Sequence, residues 1–175
     1  MIHPGAVHAA AYGVLALLAI YDLRSRRLPN AAVAAFAALY FVNAATVSAG
    51  PAVWGLHLAC GAAALIVAAT MFRFGWLGGG DVKLGAAVFL WAGSQAWPVF
   101  VSVSLGGLVV ALAVLAVAGL QRIPACADAG RWCPWLAPAR GVPYGVALAL
   151  GGSLAVLLQP TAHARAALAM LASLV

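Results

Sequence analysis

Long apolar runs alternate with short polar or Gly- and Pro-containing segments along the whole chain. Six of these runs reach or approach the length of a membrane-spanning helix, about 20 mostly apolar residues. They cover about residues 5–22, 31–48, 52–72, 81–94, 98–119 and 143–158. The pattern predicts an all-α fold, a polytopic membrane helix bundle of about six transmembrane helices. The apolar tail after Pro160 contains Arg165, so we expect it to lie at the membrane interface or to form a partial seventh span.

The basic residues lie between the apolar runs, and their positions predict the orientation of the chain. Only Arg165 falls on the outer side if the N-terminus is outside. The other basic residues then share one side: Arg24, Arg26, Arg27, Arg73, Lys83, Arg122, Arg131 and Arg140. Because Lys and Arg are enriched in cytoplasmic connections, we predict a multi-pass protein with this side in the cytoplasm.

The composition excludes a water-soluble domain. The 175 residues are 66% hydrophobic and 7% charged, whereas soluble domains carry about 25% charged residues. The net charge of +6 does not indicate a nucleic-acid partner, because the basic residues follow the membrane topology and form no single face. We therefore expect a lipid bilayer as the surroundings, no nucleic acid, and a single integral-membrane domain over residues 1–175.

The three cysteines, Cys60, Cys126 and Cys133, are expected to be free thiols. Two of them share one connection, without a nearby histidine and without the usual spacing of a zinc site. That connection is predicted to face the reducing cytoplasm, where disulfides are rare. The sequence therefore predicts neither a metal site nor a disulfide framework.

Two of the three acidic residues lie at the predicted membrane boundary. Asp22 ends the first run and Asp81 begins the fourth, so the alternation of the helices returns both to the cytoplasmic side. An ionisable residue in a span costs about 2.5–3.5 kcal/mol at the helix centre and less near the interface, and it indicates function by default. Asp128 lies in a polar connection, where a solvated charge needs no functional explanation.

A close pair of carboxylates can hydrolyse a peptide bond without a metal. Like charges at short range favour a state in which one carboxyl group keeps its proton, as in aspartic proteases. One carboxylate can then deprotonate a water molecule while the other acts on the scissile carbonyl. Asp22 and Asp81 are therefore the candidate catalytic residues, and the reaction requires no cofactor.

Three glycines precede Asp81 in the stretch GGGDVK. Without side chains, Gly78 and Gly80 would let the backbone turn sharply and let an extended substrate approach closely. A glycine-rich turn before a helix also fits phosphate binding, but an anion there would meet Asp81, and neither common phosphate-binding motif is present. Close helix packing through small residues is a second alternative.

Three stretches together resemble the motifs of one family. They are residues 22–30 (DLRSRRLPN), 78–84 (GGGDVKL) and 142–147 (VPYGVA). In this order, and with these apolar runs between them, they resemble the type IV prepilin peptidases, which belong with the GxGD membrane aspartyl proteases. The resemblance covers about residues 5–160.

The resemblance implies an aspartic endopeptidase of the bacterial inner membrane. Members of this family have about six helices and cleave the leader peptides of prepilins or pseudopilins at the cytoplasmic face, beside the hydrophobic helix of the substrate. The resemblance implies that the two catalytic aspartates of the family correspond to Asp22 and Asp81. Larger members have an N-terminal cytoplasmic domain and also methylate their product. This chain looks like the short, peptidase-only type of tight-adherence (Flp) pilus systems, with no separate methyltransferase domain.

Other residues of these motifs have candidate supporting roles. Arg24 and Lys83 are candidates for electrostatic support of the acids, although anchoring at the membrane face explains them equally well. Asn30 follows Pro29 and is expected to cap the second helix.

Two functions from other classes stay open on the sequence. A small transporter or channel also places acids in a membrane protein, although here both acids lie near one face and none marks the midplane. A non-catalytic membrane subunit of a pilus assembly machine is the other alternative. Substitution of the two aspartates separates these functions from the enzyme.

Overall fold

The computed structural model describes residues 4–47, 50–122 and 141–159, and all regular secondary structure in these ranges is helical. The helices are α1 (Pro4–Ser25), α2 (Asn30–Thr46), α3 (Pro51–Arg73), α4 (Gly79–Ala92), α5 (Ala96–Leu120) and α6 (Tyr144–Leu157). A 3-10 turn over Gly93–Gln95 separates α4 from α5. The predicted all-α fold class is confirmed. Cys126, Asp128, Cys133 and the apolar tail after Pro160 lie outside the described residues.

The helix boundaries follow proline and glycine. Pro29 immediately precedes α2 and Pro51 opens α3, where a fixed φ suits the first turn and the missing N–H breaks no helical hydrogen bond. Between α4 and α5, Gly93 has a φ of 51°, a conformation that favours glycine. The continuous apolar segment Gly79–Leu120 is therefore two helices and not one.

Large apolar side chains cover the outside of the bundle. Ile66, Trp97 and Leu115 are 68%, 74% and 66% exposed, which is typical of a surface that faces lipid and not water. Three segments are long and apolar enough to cross a membrane, Gly5–Ser25, Pro51–Arg73 and Gly79–Leu120, and two shorter helices, α2 and α6, are also apolar. A helical membrane bundle is confirmed, and the count of six spans stays a prediction.

Helix α4 lies at the centre of the bundle and packs against α2, α3 and α6. Its side chains Leu84, Val88 and Trp91 are completely buried. The indole of Trp91 stacks on Phe36 of α2 with ring centroids 5.6 Å apart, and its Nε1–H donates to the Phe36 carbonyl at 2.9 Å. The helix that carries Asp81 is therefore held on three sides.

The C-terminal end of α4 is tied to α3 through His57. This side chain is buried, and its Nδ1–H donates to the Leu90 carbonyl at 2.8 Å. The ring also stacks on Tyr40 of α2, and a Cβ at Gly93 would overlap it. Cys60 is a free thiol, as expected, and donates to the Gly93 carbonyl at 3.3 Å. These contacts limit the freedom of α4 at the end opposite its acidic residue.

Candidate active site

The carboxylate of Asp22 lies against the first turn of α6. Asp22 is in the last turn of α1 and is 5% exposed, because α1 packs along α6. Its Oδ2 accepts a hydrogen bond from the Val146 N–H at 3.3 Å, and the Gly145 N–H also donates to this carboxylate. Amides of the first helical turn have no partners within the helix. The start of α6 therefore binds and orients the Asp22 side chain.

No side chain fits at position 145 beside this carboxylate. A Cβ at Gly145 would lie 2.7 Å from Cγ, 2.8 Å from Oδ2 and 2.9 Å from Cβ of Asp22, all well inside the usual separation of about 3.5–4.0 Å between non-bonded carbon atoms. The apolar run at about 143–158 was expected to form a helix, as α6 does, but the contact of its first turn with Asp22 was not predicted. A glycine at a helix start permits such a close approach, but a single sequence does not tell which side chain approaches it.

The carboxylate of Asp81 caps the helix that it belongs to. Gly78 is the N-cap residue of α4, and Asp81 is the third residue of the helix. The Gly78 N–H donates to the Asp81 carboxylate, as an acidic side chain at this position does in a capping box. The positive end of the α4 dipole also lies here. Asp81 is therefore oriented by the backbone of its own helix, and it is partly buried.

The first and third glycines of GGGD lie close to neighbouring side chains, and the second does not. A Cβ at Gly78 would lie 2.9 Å from Asp81 Oδ2, and a Cβ at Gly80 would lie 3.1 Å from Leu28 Cβ. A Cβ at Gly79 would meet only an aromatic ring of α3, at an ordinary 3.5 Å. The three glycines form the N-cap and first residues of a helix with negative φ, in place of the sharp turn that was expected. The supporting role of Gly78 and Gly80 stays a prediction, now with a steric reason.

The two carboxylates lie at the same end of the bundle, close enough for one charge to act on the other. The charge of Asp22 acts on Asp81, and the charge of Arg26 acts on both acids. Arg26 is partly buried, and of the described residues it is the one non-glycine residue in the left-handed region, with a φ of 54°. Its positive charge partly compensates the two acids. The sequence did not single out Arg26, because it contains a cluster of arginines after α1 without indicating which one turns inward.

Lys83 and Arg24 were the candidates for electrostatic support of the acids. Lys83 donates from Nζ to the Asn30 side-chain oxygen at 3.0 Å, on the side of α4 that faces α2. Arg24 is exposed on α1. Support of the acids by these two residues stays a prediction. The predicted capping role of Asn30 is wrong, because Pro29 is the N-cap residue of α2 and no side chain caps this helix.

A groove between α3 and α5 leads along the bundle to Asp81. The volume of this α3–α5 groove is about 530 Å³, and its floor is formed by α4 and α6. Tyr144 and Ser104 add polar atoms to a lining that is otherwise mostly apolar. The apolar side chains include Val67, Met71, Phe89, Phe100 and Leu148. An apolar segment of another molecule in this groove would therefore lie with one end beside a carboxylate.

The described histidines lie away from the two acids. His8 Nε2 is 3.2 Å from Asn43 Oδ1, and His57 is bound to the backbone of α4, both toward the opposite end of the bundle. Within residues 4–47, 50–122 and 141–159, no three His, Cys, Asp or Glu side chains form a group that could hold a metal ion. The groups shown to act on the two carboxylates are therefore backbone amides and the charge of Arg26, beside the effect of Asp22 on Asp81.

These features define a class, an α-helical membrane protein with two carboxylates at one end of its bundle and an apolar groove that leads to one of them. The model of the type IV leader peptidase family matches residues 9–120 of the chain. The chain belongs to this family, which confirms the resemblance seen in its motifs, and it is a protease of the leader-peptidase type. The matched range contains Asp22 and Asp81, and Gly145 lies beyond it. No curated protein and no solved structure matches the chain.

Proposed function

We propose that the protein is a membrane-embedded aspartic endopeptidase that removes the leader peptides of prepilins or pseudopilins. The observation that carries the proposal is the placement of Asp22 and Asp81, which are far apart in sequence but lie at one end of the bundle, where the charge of Asp22 acts on Asp81. Each carboxylate accepts hydrogen bonds from backbone amides at the start of a helix. Membership of the leader peptidase family supports the reaction class.

The proposed reaction uses the carboxylate pair as base and acid. One carboxylate is ionised and takes a proton from a water molecule, whose oxygen attacks the scissile carbonyl carbon. The other carboxyl group is protonated and donates to the carbonyl oxygen. The C–N bond then breaks, a proton passes to the leaving amine, and the pair returns to its starting protonation. Because the two groups titrate together, the shared proton belongs to the pair and not to one residue.

The α3–α5 groove supports a route for the substrate. A hydrophobic helix can lie along its apolar lining, within the level of the membrane, and end beside Asp81. Small residues let two membrane helices approach closely, and α3 presents Ala63, Ala64 and Ala68 to this groove. A scissile bond just outside the hydrophobic helix would then lie at the level of the acids.

We place the acids at the cytoplasmic face of the bacterial inner membrane. Basic residues at the same end of the described helices support this orientation, because they are enriched on the cytoplasmic side. They are Arg24, Arg26, Arg27, Arg73, Lys83 and Arg122. The resemblance to the short, peptidase-only members supports a prepilin of a tight-adherence (Flp) pilus as the substrate.

Co-expression with a candidate prepilin tests the proposed function. The wild-type protein should convert the precursor to a shorter product whose new N-terminus is identified by sequencing. The variants Asp22→Asn and Asp81→Asn keep the size of each side chain but remove its acid–base function. We expect each to lower the cleavage rate by about 10²–10⁴-fold, measured by gel shift at equal amounts of protein in the membrane.

Asp128→Asn is the matched control, because it removes the third acid of the chain, and it should leave cleavage unchanged. Normal cleavage by either of the other variants would contradict the aspartic mechanism. Loss of cleavage in the control would show that the pair was chosen wrongly. Strong inhibition by EDTA that zinc reverses would contradict a mechanism based on two carboxylates and water.

A further inference from the structure

A second groove lies on the other side of α4, between α2 and α3. These helices are consecutive in the chain, yet both pack on α4 and hardly touch each other. The space between them has a volume of about 650 Å³. We call it the α2–α3 groove, and its apolar lining includes Ala34, Ala37, Ala62, Leu65 and Leu90.

One end of the α2–α3 groove is polar and positively charged. Lys83 and Asn30 lie there, joined by the hydrogen bond from Nζ to Oδ1 at 3.0 Å, and both side chains are exposed. None of the described residues that line this groove is acidic. Asp81 lies two residues before Lys83 on the helix, and residues with this spacing do not face the same side. The acid accordingly lines the α3–α5 groove, and the lysine lines this one.

We propose that the α2–α3 groove binds an anionic phospholipid, with one acyl chain along its apolar walls and the phosphate at Lys83 and Asn30. The charge is complementary, since the Lys83 ammonium and the Asn30 side-chain amide are both donors to phosphate oxygens. The depth is also suitable, because the two residues lie at the end of the bundle that carries the basic residues. Basic pockets between membrane helices on the cytoplasmic side bind anionic lipid head groups in this way.

The apolar walls select a lipid over a free phosphate ion. A phosphate ion would contact only Lys83 and Asn30 and would leave the rest of the groove unused. Ala34, Ala37 and Ala62 leave depth for an acyl chain because their own side chains are short. The lipid site depends on neither acid, so it holds whether or not Asp22 and Asp81 are catalytic.

Native mass spectrometry of the purified protein tests the head-group part of the proposal. Detergent-solubilised wild type is titrated with phosphatidylglycerol and with phosphatidylcholine of identical acyl chains, and it should retain phosphatidylglycerol preferentially. Lys83→Gln should weaken retention of phosphatidylglycerol by about fivefold, which corresponds to about 1 kcal/mol per basic residue at an anionic surface. Lys83→Arg should keep the preference. Equal retention of both lipids by the wild type, or an unchanged preference in Lys83→Gln, would overturn the proposal.

A substitution inside the groove tests the acyl-chain part. Ala62→Phe fills the space between α2 and α3 and should reduce retention of both lipids. Ala59→Phe is the matched control, because Ala59 is exposed on the same helix and does not line the groove. Equal lipid retention by the two variants, each with wild-type thermal stability, would overturn the assignment of the groove.

Photo-cross-linking identifies the occupant directly. A benzoyl-phenylalanine at position 62 should label phospholipid in native membranes, and the same group at position 59 should label it less. A cross-link from position 62 to a second copy of this chain or to another polypeptide, in place of lipid, would show that the groove is a protein-docking site and would refute the lipid proposal.

Discussion

Two adjacent glycines in GGGDVK differ in the space around them: position 78 is crowded and position 79 is not. A Cβ at Gly78 would lie 2.9 Å from Oδ2 of Asp81, whereas a Cβ at Gly79 would meet only a ring at 3.5 Å. The atom crowded by position 78 is at the free end of a side chain, so it can rotate away without moving the backbone. A side chain at position 78 therefore displaces the carboxylate and leaves the packing of α4 intact.

We expect Gly78→Ala to lower kcat for prepilin cleavage by about a hundredfold, since a displacement of about 1 Å at a reacting group costs about that much. Its Tm should stay close to that of the wild type. Gly79→Ala should keep normal cleavage and be stabilised by up to about 1 kcal/mol, because alanine favours the helix over glycine. Steady-state cleavage and thermal unfolding of the purified variants measure both effects. Equal kcat values for the two variants would contradict the steric explanation of the motif.

Helices α1 and α6 are joined by the contact of Asp22 with the start of α6. Gly145 makes this contact possible, and Gly152 of the same helix is equally tight, with a Cβ position 2.9 Å from Leu15 Cδ2 and 3.1 Å from Val88 Cγ2. The two glycines differ only in what they pack against, an acid in one case and apolar side chains in the other. Substitutions at these two glycines therefore distinguish an effect on the position of Asp22 from an effect on the stability of the fold.

We expect alanine at either position to destabilise the fold by about 1–3 kcal/mol, the usual cost of overpacking. Only Gly145→Ala should also lower kcat, by about a hundredfold with little change in KM, because it moves Asp22 and not the apolar groove. A water-soluble carbodiimide should modify Asp22 faster in Gly145→Ala than in Gly152→Ala, as measured by mass spectrometry. Identical modification rates would contradict the positioning role even if neither variant cleaves a substrate.

The position of each helix along the chain was predictable from the sequence, but which helices pack against each other was not. Apolar runs give the place of each helix along the chain, so α4 was expected at about residues 81–94 and is found at Gly79–Ala92. A helix that is apolar all round does not reveal which face packs against protein, because lipid-facing residues such as Ile66 are as apolar as core residues. The central position of α4 and the contact of α1 with α6 therefore required the structure.

The candidate site was predictable in part for a related reason. Consecutive membrane helices alternate in direction, and this alternation alone predicted that Asp22 and Asp81 lie at the same end of the bundle. Lys83 was a candidate for electrostatic support of Asp81, its neighbour in the motif, and that support stays a prediction. Because α4 already begins at Gly79, the period of the helix puts the lysine and the acid about 200° apart. Contacts across helices, such as those of Gly145 and Arg26, leave no comparable signal in a single sequence.

The two ends of the described bundle differ in charge. Asp22, Asp81 and the basic residues lie at one end, and the contacts of His57 lie at the other. One exposed serine lies at each end of the bundle. Ser25 is the last residue of α1, beside the acids, and Ser94 lies in the turn after α4. Replacement of either serine by cysteine changes one atom and adds a reactive thiol. A background without Cys60, Cys126 and Cys133 makes each new thiol the single target for labelling.

A membrane-impermeant maleimide should label Ser94→Cys in intact spheroplasts and Ser25→Cys only in inverted vesicles. The physical reason is that arginine and lysine are enriched at the cytoplasmic ends of spans, and Asp22 and Asp81 lie at the basic end of this bundle. The reverse pattern would put the acids outside the cell, where a precursor held in the cytoplasm does not reach them. Labelling of both positions from the same side would contradict the prediction that the bundle crosses the membrane from one end to the other. Either result would remove the basis for cleavage at the cytoplasmic face, while the family membership and the steric contacts of the two acids would stand.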